Sequence, residues 1–282
     1  MQIHKNLSDP DFEPSDEELD MIMSDATAGV AQRAKEAGNR LQERLDKTIL
    51  ENESDLGKLE TNASDSLITK PALIVIAGPN GSGKTTITKS ILSHHWSEGC
   101  VYVNPDDIAN DRFGDWNSPE ASLNAARYAE KMREDCLAKK QELIFETVMS
   151  AQDKVGFIRK AKSAGFFVRL FFICTTTPKI NASRVAARVM EGGHDVPIGK
   201  IISRYTKSIA NCAAVLKDVD RAYLYDNSAD NQDPSLLFRV SDGILSKAYA
   251  DTLPAWANSL RQSLVGENEE IVRAGTPLRP GW

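Results

Sequence analysis

Cysteine and histidine are both scarce, with four of each in 282 residues. The cysteines (Cys100, Cys136, Cys174 and Cys212) lie 36 or more residues apart, and no C-x-x-C pair exists. That spacing excludes a disulfide scaffold and argues against a zinc site; it suits reduced thiols in a cytoplasmic protein. Long apolar runs are missing too. The longest, Ala72–Ala77 and Phe166–Cys174, fall far short of a membrane span, and Arg169 interrupts the second. The first twenty residues hold seven acids and Lys5 as their one clear base, the reverse of a secretory signal.

A basic excess is also lacking. The chain carries 34 basic and 40 acidic residues, a formal charge of −6. The imbalance is local. Residues 1–70 carry 16 acids and 8 bases, while 71–282 carry 24 and 26. A near-neutral body without a strong basic patch argues against a polynucleotide as partner.

The acidic segment reads as helix. Ser15 and Glu18 have capping-box spacing ahead of Leu19. Leu19, Ile22, Met23, Ala26, Val30, Ala34, Ala37, Leu41, Leu45 and Ile49 then recur at three- and four-residue steps. Such a single stripe needs a partner surface. A polar stretch from Glu51 to Ser66 follows, and the boundary is placed near Lys70. Residues 1–70 thus form an all-helical N-terminal segment, 71–264 the main domain and 265–282 a polar tail.

The body alternates strand and helix. Short apolar runs at Ala72–Ala77, Cys100–Val103, Leu143–Phe145, Phe167–Cys174 and Ala222–Tyr225 read as buried strands. Helical patterns begin at Lys84 and near Pro119, capped by Ser118, and cover Lys154–Ser163, Pro178–Met190 and Ile201–Leu216. The fold class is therefore α/β, a parallel sheet flanked by helices, whose ligands bind beyond the carboxyl ends of the strands.

One such end carries Gly78-Pro79-Asn80-Gly81-Ser82-Gly83-Lys84-Thr85, then Thr86. It fits G-x-x-x-x-G-K-[ST] at every fixed position, between a strand and a helix. Glycines let backbone N–H groups turn toward phosphate oxygens, Lys84 can reach the β and γ phosphates, and the Thr85 hydroxyl can ligate Mg²⁺. The ligand class is a nucleoside triphosphate. No obvious Walker B motif and no N-K-x-D base-reading motif is present, so the pattern points to a small kinase rather than a motor or switch. Asp106 and Asp107 follow the second strand, and Glu146 and Thr147 end the third. One of the aspartates is a candidate base for an acceptor hydroxyl, the other a helix cap. Glu146 and Thr147 are candidates to bind the acceptor. Cations for the migrating group are available in Lys179, Arg184, Arg188, His194, Lys200 and Arg204, with Arg184 and Arg188 on one helix face. Gly192-Gly193 could hinge a lid.

Taken in order, GPNGSGKTT (78–86), NPDD (104–107), FET (145–147), RVAARV (184–189), GGHDVP (192–197), I-x-x-R-Y (201–205) and YDNS (225–228) resemble the zeta-toxin family of P-loop kinases over about residues 70–230. The resemblance implies ATP-dependent phosphorylation of a hydroxyl of UDP-N-acetylglucosamine. Lys84 and Thr85 would hold ATP and Mg²⁺, Asp106 would be the base, and Glu146 would bind the acceptor. Arg184 and Arg188 would neutralise the transferring phosphate, with Arg204 as a possible second catalytic arginine. The GGHDVP loop and Thr147-Val148 depart from the family's pattern and leave another acceptor nucleotide, such as NAD, open. A nucleotide-regulated binding protein is the reading from another class. Family toxins are held by a separate helical antitoxin. The helical acidic segment fused here resembles one carried in the same chain, its stripe docking on the kinase and its acids facing the cationic cleft.

Overall fold

A computed structural model describes residues 12–19, 70–93, 97–113, 118–191, 196–230 and 232–264. The stripe from Ile22 to Ile49, the linker, His194 with the Gly192-Gly193 hinge, and the tail lie outside the described residues.

All five runs read as strands are strands: β1 (Ala72–Ala77), β2 (Val101–Val103), β3 (Leu143–Thr147), β4 (Phe167–Cys174) and β5 (Arg221–Asp226). They pair in parallel, with β1 between β3 and β4, β2 outside β3, and β5 outside β4. Every residue of β1, β3 and β4 is buried, which is why their sequences are continuous rather than alternating. Two further strands escape the sequence reading. β6 (Ser235–Ser241) and β7 (Ile244–Ala248) form an antiparallel hairpin that extends the sheet beyond β5. The expected parallel sheet is therefore mixed at this edge. Asp242 and Gly243 make the two-residue turn, both with positive φ (50° and 77°), the backbone that Asp-Gly favours.

Seven described helices complete the body: α1 (Lys84–Ser93), α2 (Pro105–Phe113), α3 (Pro119–Lys139), α4 (Gln152–Ser163), α5 (Pro178–Met190), α6 (Ile198–Val215) and α7 (Ala255–Leu264). Ser118 caps α3 as expected, accepting the Ala121 N–H at 3.4 Å, with Pro119 in the first turn. Strand side chains alternate between two cores. Leu73, Val75, Phe145, Leu170 and Phe172 face one core, which α3, α4, α6 and α7 roof. Ile74, Ile76, Phe171, Ile173, Tyr223 and Tyr225 face the other, with Ile87 and Ile91 of α1.

This second core is also closed by residues 12–19. Leu19 is fully buried in it. Ser15 and Glu18 form the expected capping box, the Glu18 N–H donating to Ser15 Oγ at 3.2 Å and the Ser15 N–H to Glu18 Oε2 at 2.9 Å. Arg169, fully buried in β4, donates to Tyr223 Oη at 2.9 Å and to the Phe12 carbonyl, and pairs with Glu13. A buried guanidinium needs such partners, because an uncompensated charge there costs several kcal/mol (about 3–5). Glu13 also accepts from Tyr223 at 2.8 Å and from Arg221 at 3.3 Å. Asp16 accepts from Arg239 (2.7 Å), Lys247 (2.6 Å) and Tyr249 (2.8 Å). These bonds, Lys247 foremost, hold its carboxyl below the usual range. The expectation that the acids face the phosphate cleft fails for Asp16. Its partners lie on the edge hairpin and just after it, whose cations are the nearer match.

Candidate active site

The carboxyl ends of β1, β3, β4 and β5 converge on the 78–85 loop. The Gly78 N–H donates to the Thr147 carbonyl at 3.2 Å, tying the loop's start to β3. Pro79 and Ser82 are buried, and Asn80 and Thr86 are half-buried. The Ser82 hydroxyl is fully buried and has no hydrogen-bond partner among the described residues. An unpaired hydroxyl in a glycine cradle fits a ligand rich in acceptor oxygens.

Lys84 opens α1 and is buried, its Nζ donating to the Pro79 carbonyl at 2.9 Å. Burial pushes its ammonium pKa down, opposed by the charges of Glu146 and Asp106, while Arg188 pushes it down further. Two carboxylates and an arginine thus act on the loop lysine.

Glu146 sits closer to the loop than its place at a strand end suggested. The Thr85 hydroxyl donates to Oε1 and the Thr88 hydroxyl to Oε2, both at 2.9 Å. Once Thr85 donates its proton, its oxygen keeps lone pairs for a cation. Hard oxygen ligands of this kind suit Mg²⁺, which takes few protein ligands and completes its shell with phosphates and water. Among the described residues no cluster of three or more His, Cys, Asp or Glu could hold a metal alone; the fit to Mg²⁺ rests on the Thr85 oxygen beside the phosphate loop. Thr147 is buried, and its Oγ1 accepts the Met149 N–H at 3.0 Å. Met149 has φ 56°, a costly conformation for a non-glycine residue; Asn211 of α6 donates to its carbonyl at 2.8 Å.

Asp106 and Asp107 both lie in the first turn of α2, and neither is its cap. Asn104 is: its Oδ1 accepts the Asp106 N–H at 3.0 Å, immediately before Pro105. Asn104 Nδ2 donates to Asp107 at 3.1 Å. Asp107 is exposed as a residue, but its carboxyl is pushed up to about 6 by partial burial and by the charges of Glu146 and Asp106.

The three arginines part company. Arg184 of α5 donates to the Asn227 carbonyl at 2.7 Å and to Asp230 at 3.0 Å, bracing the loop after β5. Arg188, one turn on, is exposed and contributes to the field at Lys84. Arg204 of α6 donates to Asn80 Oδ1 at 3.3 Å. Beside Arg184 a cavity opens, lined by Lys179, Ile180, Ser183, Ala187 and Asp230.

The model of the family described as Zeta toxin matches residues 57–233. The chain belongs to the zeta toxin family. It is thereby a nucleotide-binding, kinase-like protein with the P-loop kinase fold. An uncharacterized protein of Haemophilus influenzae (strain ATCC 51907 / DSM 11121 / KW20 / Rd) is 28% identical over 132 residues, covering 47% of this chain and 91% of that one. A solved structure of the AvrRxo1-ORF1:-ORF2 complex matches 95% of this chain and 81% of its own, with TM-score 0.51 and 16% identity. A structure from the PezAT chromosomal toxin-antitoxin system of Streptococcus pneumoniae matches 82% and 92%, with TM-score 0.48 and 19% identity. No helix of the described residues is long and apolar enough to cross a membrane.

Two asparagines were given no role in the sequence reading, although Asn227 lies in the YDNS motif. Asn181 Nδ2 donates to the Asn80 carbonyl at 2.5 Å, and Asn227 Nδ2 to the Ser82 carbonyl at 2.9 Å. Neither has a residue type or spacing that signals phosphate chemistry, because each acts on the loop's backbone from a distant element.

Proposed function

We propose that the protein is an ATP-dependent phosphotransferase that phosphorylates an alcohol, with UDP-N-acetylglucosamine the first acceptor to test. The observation that carries this reading is a complete phosphate loop with buried Lys84, to whose helix the Thr85 and Thr88 hydroxyls tie Glu146. Acceptor oxygen attacks the γ-phosphorus, the bond to the β–γ bridging oxygen breaks, ADP leaves, and the acceptor proton passes to a carboxylate. Asp106 is assigned that role, as the family resemblance implies. Arg188 and Arg204 meet the phosphates, and Arg184 acts through the loop it braces. Glu146 orients Thr85, so that acceptor contacts fall to the aspartates and the β3 end. Mg²⁺ bound there would neutralise phosphate charge. Apolar Ile180 and Ala187 beside Arg184 suit the nucleoside.

The proposed division is 1–70, 71–264 and 265–282, with the first part restraining the kinase in cis. Docking of Glu13, Asp16 and Leu19 onto the sheet supports an intramolecular contact.

The test is incubation with ATP, Mg²⁺ and UDP-N-acetylglucosamine, NAD or a metabolite extract, read by mass spectrometry. One added phosphate on a metabolite, lost in Lys84→Ala, is expected. No phosphorylated product from either the full chain or an undocked Leu19→Ala form would overturn the reading in favour of a nucleotide-regulated binding protein.

A further inference from the structure

The glycine loop holds its own shape only in part, through the Ser82 N–H and Lys84 Nζ, which donate to the Pro79 carbonyl at 3.3 and 2.9 Å. Its peptide groups must present N–H inward, and in a trans peptide the C=O then points the opposite way. An outward carbonyl left unpaired in a buried position is costly, and nothing in Gly78–Lys84 can pair the carbonyls of Asn80 and Ser82 from outside.

Two side chains from other elements do so. Asn181, fully buried in the first turns of α5, donates to the Asn80 carbonyl, and its Oδ1 accepts from the Thr175 hydroxyl. That second bond sets which end of the amide faces the loop. Asn227, just past β5, donates to the Ser82 carbonyl. The peptides so held are those whose N–H groups belong to Gly81 and Gly83. The two glycines are shaped to the same contacts. A Cβ on Gly81 would lie 2.5 Å from the Asn181 carbonyl oxygen, and one on Gly83 would lie 2.3 Å from Asn227 Nδ2. Both also have positive φ, 74° and 96°. Arg184 joins the two supports, since it stands one turn after Asn181 and donates to the Asn227 carbonyl.

We infer that Asn181 and Asn227 are positioning residues that hold the Asn80 and Ser82 carbonyls outward and so aim the Gly81 and Gly83 N–H groups at the phosphates. The inference rests on the nucleotide reading above and adds to it a clasp, made by α5 and the loop after β5, on which phosphate affinity depends.

The clasp acts on phosphates alone, which a general structural role would not do. The full chain, Asn227→Ala, Asn181→Ala and the double variant are titrated calorimetrically with sodium tripolyphosphate and, separately, adenosine, with melting temperature recorded. Each single change weakens tripolyphosphate binding about three- to tenfold, the worth of one such hydrogen bond, and leaves adenosine unchanged. The double variant loses more than either single change but departs from the product of the two losses, because Arg184 links the supports and both act on one loop. Should buried Asn181 prove needed for folding, half-buried Asn227 carries the test by itself. Wild-type tripolyphosphate affinity in a normally melting Asn227→Ala overturns the clasp and leaves the kinase reading standing. Equal losses for both ligands also overturn it, in favour of a structural role. A wild-type chain that binds neither ATP nor tripolyphosphate overturns the nucleotide reading itself and the clasp with it.

Discussion

Leu19→Ala asks whether residues 12–19 are part of the folded body. Leu19 is fully buried among Ile74, Ile87, Phe171 and Tyr223. Removing three buried carbons costs about 2–5 kcal/mol in well-packed cores. The lower half of that range, about 2–3 kcal/mol, is taken, because the cost falls where neighbours close in on the smaller side chain. At about 2–4 °C per kcal/mol for a body of this size, the melting temperature should fall by roughly 5–10 °C. If the segment undocks before the sheet unfolds, the same loss appears as faster proteolysis near Leu19 at temperatures where the body persists. Calorimetry and limited proteolysis cover both routes. If the first 70 residues restrain the kinase through this anchor, phosphate transfer per folded molecule rises as well. A melting temperature within about 1 °C of wild type, with unchanged proteolysis, would refute the packing argument.

Asp106→Ala should lower turnover by roughly 10²- to 10⁴-fold while nucleotide binding survives, and Asp107→Ala should do less; steady-state kinetics with ATP titration decides, and a reversed order reassigns the base. Asp107→Asn should raise the melting temperature at pH 7 and not at pH 4. Asp107 titrates at about 6 when folded, against an ordinary 3.8. Between those values the folded chain keeps a proton that the unfolded chain releases, so wild-type stability falls as pH rises from about 4 to 6. The amide escapes that cost; a melting difference that does not change with pH would contradict the assignment.

Much of this was legible in the residues because burial writes itself into composition. Strands covered on both faces are mostly apolar, so ALIVIA and its four counterparts announced themselves despite buried Arg169 and Glu146, and the phosphate loop is constrained at each fixed position. The hairpin was missed for the opposite reason. β7 is an edge strand with Ile244 71% exposed, so no apolar run marks it, although Asp242-Gly243 was a usable turn signal. The helix cap was misread when a signal stood in plain view: proline at the first helical position makes the residue before it, Asn104, the cap. Glu146 lies 61 and 58 positions from Thr85 and Thr88, and no spacing rule reaches that far. The same distance hides Asn181 and Asn227, whose target is backbone.

The docking of the N-terminal residues also orders events at the ribosome. Asp16 is made early, and its partners Arg239, Lys247 and Tyr249 follow 223 to 233 positions later. At about 5–20 residues per second, that wait is on the order of tens of seconds. Every residue of the phosphate loop, both aspartates, Glu146 and the three arginines are synthesised within it. Closing so long a chain segment is slow compared with local helix formation. The edge hairpin is therefore the last catch to engage, and a nascent kinase-like body precedes its own fastening.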